Sequence, residues 1–242
     1  KKPNILMIHR IFLNKPIDNI YFNRNLVIYS KQLLTLINEL LEKGMEFGSI
    51  RDTLASKKNF HLTFDDGFKE HLEFAKIIKK KYSLKKETCT FSINISNSIS
   101  GTYSGMDMIY DLIKNGKKNE IKKYLSLTND NDNSDIESIK RIYLQMKPKE
   151  IDAFRKQFLM NSSALKEIFL NKNDIKQLSS LFNLASHGVT HRDLRFHKKI
   201  SRKEIPDSKK ILEKLTGSAI DIICYPEGKN DKALHTGRQN LS

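Results

Sequence analysis

Short apolar segments alternate with longer amphipathic patterns along much of the chain, and this alternation constrains the fold more than any other feature. Segments 5–8, 60–64 and 88–93 have the length and the β-branched or aromatic content of buried strands. Segments 30–43 and 69–82 carry apolar residues at helical spacing. Such alternation favours an α/β fold, a parallel sheet covered by helices, with functional groups on loops at the carboxyl ends of the strands.

Between residues 104 and 181 the pattern becomes almost entirely helical. The polar run 129–134, made of Asn, Asp and Ser, predicts a linker inside this block. The candidate helices are 106–114, 120–125, 135–145, 148–160, 163–170 and 174–181. We interpret the block as an α-helical insertion in an α/β chain.

The strand–helix alternation resumes after the block. The predicted elements are a strand at 182–185, a helix at 201–215 and a strand at 220–225. We therefore predict one α/β domain formed by residues 1–103 and 182–242, with the helical insertion at 104–181.

The chain is strongly basic, with 43 Lys and Arg against 28 Asp and Glu and a formal net charge of +15. Such a charge is typical of proteins that bind nucleic acids, membrane surfaces or anionic substrates. Lysine is spread over nearly every helical segment, however, and no arginine-rich stripe with interleaved aromatic residues is visible. We expect no nucleic-acid partner and interpret the even spread of lysine as the product of AT-rich coding. An anionic glycan or a phosphate-bearing carrier stays open as an alternative reason for the charge.

Cysteine content and apolar run lengths exclude several classes of protein. The two cysteines, Cys89 and Cys224, are too few for a disulfide framework or a cysteine-based zinc site. No apolar run approaches the roughly 18 residues of a transmembrane helix. The first residues do not resemble a secretory signal peptide, so we expect a cytoplasmic location, with a trimmed secretion signal as the alternative.

Three polar clusters come directly after predicted strands. In the first, Asp65 and Asp66 are adjacent, which is electrostatically costly unless a cation neutralises them, although an ordinary Asp-Gly turn is an alternative. In the second, His187 and His191 lie four residues apart and can reach one ion, although they could instead be incidental surface histidines. The third, residues 224–228, offers backbone N–H groups at a turn.

Taken in order, Thr-Phe-Asp-Asp-Gly, Ser-His-Gly-Val-Thr-His and Tyr-Pro-Glu-Gly resemble the first three motifs of the polysaccharide deacetylases. This family is also called the NodB-homology or carbohydrate esterase family 4 enzymes, and the resemblance covers residues 5–93 and 182–231. It implies a distorted, TIM-like (β/α)7 barrel. It also implies hydrolysis of N-acetyl or O-acetyl groups on sugars by water that a divalent metal activates. Zinc is the expected metal, and cobalt, nickel and iron suit the same ligands.

The resemblance also assigns roles to individual residues. Asp66, His187 and His191 would bind the metal, and Asp65 would be the catalytic base. The backbone N–H of Glu227 would stabilise the oxyanion.

Four further residues receive weaker assignments. Tyr225 and Pro226 of the third motif would contact substrate, and His9, at the end of the first strand, would lie at the rim of the site. His235 is the available candidate for the general acid, although Leu234-His235 lacks the spacing of the family's final motif.

The chain departs from the family pattern in two places. Cys224 stands where many members have an arginine that orients the base, although one branch of the family also lacks it, and Arg238 is a candidate replacement. Lys232 follows Asp231 where members usually have a further helix, which predicts that roughly 20 residues are absent there.

Two functional classes besides an active enzyme stay open. A catalytically impaired deacetylase-like protein could still bind carbohydrate or metal, and a basic scaffold could bind nucleic acid. The enzymatic interpretation expects a glycan or sugar-nucleotide substrate in the assembly of a bacterial surface glycan, and the positive charge of the chain suggests an anionic one. The sequence leaves the oligomeric state open. Among the remaining histidines, we expect His61 to be packed in a strand and His71 to be exposed on a helix.

Overall fold

The computed structural model describes residues 3–13, 26–100, 106–127, 132–158, 168–196 and 198–228. His235, Arg238 and the junction of Asp231 with Lys232 lie outside these residues, so the predictions made for them stay untested. Among the described helices, none is long and apolar enough to cross a membrane.

Parallel strands form the centre of the molecule. The described strands are β1 (Ile5–Ile8), β2 (Arg10–Phe12), β3 (Val27–Tyr29), β4 (Glu46–Phe47), β5 (Asn59–Phe64), β6 (Cys89–Ile93) and β7 (Asn183–Ser186). The main sheet has the order β1-β5-β6-β7, β4 pairs with the start of β5, and β2 pairs with β3 in a separate ribbon. All these pairings are parallel, which confirms the predicted α/β class.

Helices follow most of the strands. The described α-helices are α1 (Ser30–Glu42), α2 (Ile50–Ala55), α3 (Glu70–Tyr82), α4 (Met106–Lys114), α5 (Lys118–Tyr124), α6 (Asp132–Gln145), α7 (Pro148–Phe158), α8 (Lys172–Leu181) and α9 (Lys198–Thr216). Strand–helix–strand succession with parallel pairing brings the carboxyl ends of neighbouring strands to one edge of the sheet.

The core lies around β5 and β6, which are buried on both faces, as central parallel strands usually are. The rings of Phe64 and Phe91 stack across the two strands with centroids 4.4 Å apart, and Phe182 packs against Phe91. Each fully buried side chain of this size contributes about 1.5–3 kcal/mol to folding. The end of β5, which carries the first polar motif, is therefore anchored in the hydrophobic core.

The helical block has a hydrophobic cluster of its own. Its buried members come from α4 to α7 and are Met106, Met108, Ile109, Leu112, Ile121, Ile139, Tyr143 and Phe154. By contrast, Ile175 and Leu178 of α8 lie in the main core with residues of α3 and α9. The domain boundaries at 104 and 181 stay a prediction.

Three predicted elements differ from the structure. The segment 220–225 forms only an isolated bridge between Ile223 and Ser186 rather than a full strand. Residues 132–134 of the predicted linker belong to α6. At the end of the predicted helix 163–170, Phe169 bridges Phe68 in an extended conformation, while residues 163–167 lie outside the described part of the chain.

The predictions for His61 and His71, which have no predicted role in the site, have different outcomes. His61 is packed as predicted, with its ring nitrogens 2.9 Å from the Gly48 carbonyl oxygen and 2.9 Å from Thr90 Oγ1. The exposed position predicted for His71 is wrong, because this side chain is fully buried. Its Nε2 contacts the carbonyl oxygen of His9, and burial lowers its pKa. The sequence does not indicate this burial, because His71 lies between charged residues in the first turn of α3.

Candidate active site

Backbone geometry directs the first motif away from the sheet at the end of β5. The Asp65 N–H still donates to the Ile8 carbonyl of β1 (2.9 Å), but Asp66 and Gly67 then take φ values of 78° and 74°. A Cβ at Gly67 would lie 2.8 Å from Ser98 Oγ, so only glycine fits there. This turn places the two adjacent carboxyl groups at the carboxyl edge of the sheet.

Asp66, His187 and His191 converge, as the sequence predicts. Asp66 Oδ1 lies 3.1 Å from His187 Nε2 and 2.9 Å from His191 Nε2. All three side chains are buried, and their ligand atoms lie within 4.8 Å of one another. Ligands that share one ion at about 2.0–2.2 Å lie roughly 3 Å apart, so this donor set fits a divalent metal.

Electrostatic coupling within this triad is strong. Burial opposes the charge of Asp66, but the neighbouring His191 and His187 keep its pKa well below the ordinary value. Burial likewise opposes the charge of His191, yet the Asp66 carboxylate raises the His191 pKa to about 9. Without a metal the site therefore contains a carboxylate and an imidazolium, and a cation would take the place of the His191 proton.

A backbone carbonyl fixes the tautomer of His187. Its Nδ1 lies 2.9 Å from the carbonyl oxygen of Cys224, so Nδ1 carries the proton and the Nε2 lone pair faces Asp66. The N–H of His187 donates to the Ile93 carbonyl at the end of β6 (3.2 Å). The segment that contains Cys224 and the end of β6 thus fix the position of His187 together.

Glu204 of α9 organises the loop between the two histidines. Its carboxylate accepts hydrogen bonds from the N–H groups of Val189 (2.7 Å) and Thr190 (2.8 Å), and from Thr190 Oγ1 (2.7 Å). Arg192 Nε pairs with the same carboxylate at 3.0 Å. Gly188 has a φ of 78°, and a Cβ there would lie 3.1 Å from Glu204 Oε2.

This role of Glu204 differs from the one its sequence position suggests. Ser201 and Glu204 have the spacing of a capping box, but α9 begins at Lys198, so neither caps the helix. Glu204 is instead buried against the histidine loop, which ends with His191 at a φ of 52°.

Asp65, the predicted base, is buried beside the triad and contacts two side chains that sequence reasoning did not assign. Ser92 Oγ of β6 donates to Asp65 Oδ1 at 2.5 Å. The Cys224 thiol lies beside both groups, and burial together with the Asp65 charge raises its pKa. The available signal for Ser92 was a polar residue near the carboxyl end of a strand that the sequence predicts to be buried.

The third motif packs against the histidine loop. Pro226 is buried, and its Cγ would lie 3.8 Å from a Cβ at Gly188. Glu227 has a φ of 59°, and its carboxylate pairs with Lys140 Nζ of α6 at 2.6 Å. Tyr225 is half-buried and accepts the Gly228 N–H at its carbonyl (3.0 Å). The predicted roles of these residues with substrate and oxyanion stay predictions.

Two further groups lie at this end of the molecule. His9 is half-buried at the end of β1, consistent in position with the predicted rim residue. Asp107 of α4 is buried and accepts from Asn97 Nδ2 at 3.4 Å. Burial raises the Asp107 pKa to about 6, against the opposing charges of His191, Arg10 and His9. The helical block thus contributes charged groups to the surroundings of the site.

The family model described as polysaccharide deacetylase matches residues 117–241, just over half of the chain. The chain belongs to the polysaccharide deacetylase family. The match includes His187, His191 and the third motif of this deacetylase-family protein, whereas Asp65 and Asp66 precede it. Comparison with curated protein sequences gives no significant match.

Solved structures of deacetylases share the fold. A polysaccharide deacetylase from Bacillus cereus aligns with a TM-score of 0.55 and 19% identity, over 96% of this chain and 53% of that chain. The Streptococcus pyogenes deacetylase PplD in complex with acetate aligns with a TM-score of 0.56 and 19% identity, over 97% and 79%. IcaB from Ammonifex degensii aligns with a TM-score of 0.55 and 10% identity, over 98% and 79%.

These alignments confirm the predicted distorted (β/α)7 barrel class. The chain spans about half the length of the Bacillus cereus structure. At such low identities the likeness concerns the fold, and the activity has to be argued from the site.

Proposed function

We propose that this protein is a metal-dependent deacetylase that hydrolyses N-acetyl groups on the sugars of a glycan. The observation that supports this proposal most is the convergence of Asp66, His187 and His191, with the buried carboxyl group of Asp65 beside them. Family membership supports the same reaction class.

Asp66 and the two histidines would bind the metal, leaving further coordination positions open to water and substrate. A divalent ion bound there would lower the pKa of a water molecule and polarise the acetyl carbonyl. Zinc fits one carboxylate and two imidazoles, and cobalt, nickel and iron accept the same donors.

The protein's own groups perform the remaining tasks. Asp65 accepts the proton of the attacking water, a step typically worth about 10²–10⁴-fold in rate. The backbone N–H of Glu227 donates to the oxygen of the tetrahedral species, on which negative charge develops. An acid must then protonate the leaving amine, and His235 is the candidate from the sequence. Tyr225, Pro226 and His9 would surround the sugar.

The family and the positive charge of the chain support a proposal for the substrate class. We propose a glycan or sugar nucleotide that bears N-acetylated sugars and belongs to the assembly of a surface glycan. The S. pyogenes relative is a deacetylase crystallised with acetate, the expected product of such a reaction. O-acetyl hydrolysis would use the same base and metal, since it also proceeds through attack of water on an acetyl carbonyl.

Two substitutions test the proposal. Asp65→Asn removes the base but keeps the shape of the side chain, so acetate release should fall at least about 100-fold while the bound metal is retained. His187→Ala removes a ligand, so the metal itself should be lost. Both variants are compared with the wild-type protein by metal analysis and an acetate assay on N- and O-acetylated glycans.

The outcomes separate an enzyme from a binding protein. Full activity of the Asp65 variant would contradict its assignment as the base. The replacement of the family arginine by Cys224 favours the alternative of an impaired deacetylase-like protein. Bound metal without acetate release by the wild-type protein across the glycan panel would select that alternative.

A further inference from the structure

We propose that the hydroxyl of Ser92 and the thiol of Cys224 form a neutral hydrogen-bonding clamp that positions the Asp65 carboxylate for proton abstraction. The inference rests on the proposed function, because it assigns to these two residues the orientation of its catalytic base. Neither residue would touch substrate, so both are positioning residues.

The contact between Ser92 and Asp65 has the geometry of a strong hydrogen bond. The Ser92 side chain is fully buried within β6, with Oγ 2.5 Å from Asp65 Oδ1 and 3.4 Å from the Phe64 carbonyl oxygen. A hydroxyl has a single proton, and the shorter contact assigns it to the carboxylate. Hydrogen bonds to ionised acceptors are shorter and stronger than neutral ones.

Cys224 links the base to the metal ligands. Its thiol lies beside Asp65 and Ser92, and its carbonyl oxygen accepts the Nδ1 proton of His187 at 2.9 Å. Its N–H donates to the Ser186 carbonyl at 3.0 Å, which fixes this segment against β7. A thiol carries one proton, which a sulfur in this position can donate to the Asp65 carboxylate.

The clamp is uncharged. Within the described residues, no lysine or arginine forms an ion pair with Asp65, and the two groups assigned to its carboxylate are the Ser92 hydroxyl and the Cys224 thiol. These two groups belong to different segments, β6 and the segment after α9, and together they would restrict the rotation of the carboxyl group. They leave its negative charge available to attract the proton of water.

The principal test is Ser92→Ala in the full chain with its metal. We expect kcat to fall roughly 10- to 100-fold, the range expected for losing a hydrogen bond to a charged group. The KM and the metal content should stay within about twofold of the wild-type values. Ser92→Thr retains the hydroxyl and should recover most of the lost kcat.

Cys224 supplies the second arm of the test. Cys224→Ala should lower kcat less than Ser92→Ala, because a thiol is the weaker donor, and Cys224→Ser should retain activity. In the Ser92→Ala/Cys224→Ala double variant, the loss should be smaller than the product of the two single losses, since both groups act on the same carboxylate.

Thr90→Val is the matched control. Thr90 also lies in β6, is fully buried and contacts His61 Nε2 through its hydroxyl at 2.9 Å. We expect this variant to lose thermal stability and to keep its kcat. An equal loss of kcat in the control, or loss of metal in Ser92→Ala, would show a merely structural role and overturn the clamp.

The test separates failure of the clamp from failure of the proposed function. Wild-type protein that releases acetate, together with an unchanged kcat in Ser92→Ala, would overturn the clamp alone. Wild-type protein that contains metal but releases no acetate would overturn the proposed function and, with it, the clamp.

Discussion

At the scale of single residues, the protonation states of Asp66 and His191 determine how the triad would bind a cation. The Asp66 carboxylate is kept ionised by the two histidines, and His191 retains a proton up to a pKa of about 9 in the absence of metal. A metal ion must therefore displace that proton, since a protonated imidazole nitrogen cannot coordinate.

This displacement makes metal affinity depend on pH. Below the His191 pKa of about 9, each unit of increasing pH makes the deprotonated imidazole more available, so we expect the affinity for zinc to rise about tenfold per unit between pH 6 and 8. Calorimetric titrations in buffers of different ionisation enthalpy should show release of about one proton per ion. An affinity independent of pH would contradict the assignment of His191 as a ligand.

The residues that the sequence predicted share one property. Asp65 and Asp66, and His187 and His191, are recognisable because each pair is close along the chain and directly follows a strand. Ser92 contacts Asp65 only through the pairing of β5 with β6, so no local spacing reveals it.

At the scale of secondary-structure elements, the sequence predicts the positions of strands and helices better than it predicts the contacts between them. The periodicity of 106–114 predicts α4 with the observed bounds, whereas the packing of α9 against the histidine loop is not encoded in any short pattern. Glu204 therefore resembles a helix cap in the sequence, whereas in the structure it supports the histidine loop, residues 187–191. Likewise, the sequence predicts an exposed His71, because no local pattern indicates that α3 packs against β2.

An ion pair joins the helical block to the third motif. Lys140 of α6 pairs with Glu227 at 2.6 Å, and Glu227 occupies a left-handed conformation that a non-glycine residue seldom adopts. The side chains of both partners are mostly shielded from water, with exposed fractions of 23% and 14%. The pair thus stabilises the turn that carries the proposed oxyanion donor.

Removing this pair should impair catalysis without removing the metal. We expect Lys140→Met to lower kcat about 3- to 10-fold, because Glu227 loses its partner and the turn relaxes. Lys117→Met is the control, since Lys117 pairs with Glu120 in an exposed contact (2.8 Å) within the helical block. Steady-state kinetics with equal effects of the two substitutions would show that the Lys140 pair has no influence on the site.

At the scale of the whole molecule, the net charge of +15 bears on substrate choice. Attraction between a basic protein and an anionic glycan is screened by salt over a Debye length of about 8–10 Å at 0.1–0.15 M. We therefore expect kcat/KM for an anionic N-acetylated glycan to exceed that for a neutral one of equal length at low salt, and to fall as salt increases. Equal and salt-independent values for both glycans would contradict an anionic substrate.

Asp66, His187 and His191 at the edge of the sheet are assigned as the ligands of one divalent ion. This assignment can be checked by anomalous diffraction at the zinc edge from crystals of the zinc-loaded protein. We expect one anomalous peak about 2.0–2.2 Å from Asp66 Oδ1 and from Nε2 of both His187 and His191, with Asp65 beside it but not bound. A peak elsewhere, or a zinc ion that lacks any of these three ligands, would overturn the assignment.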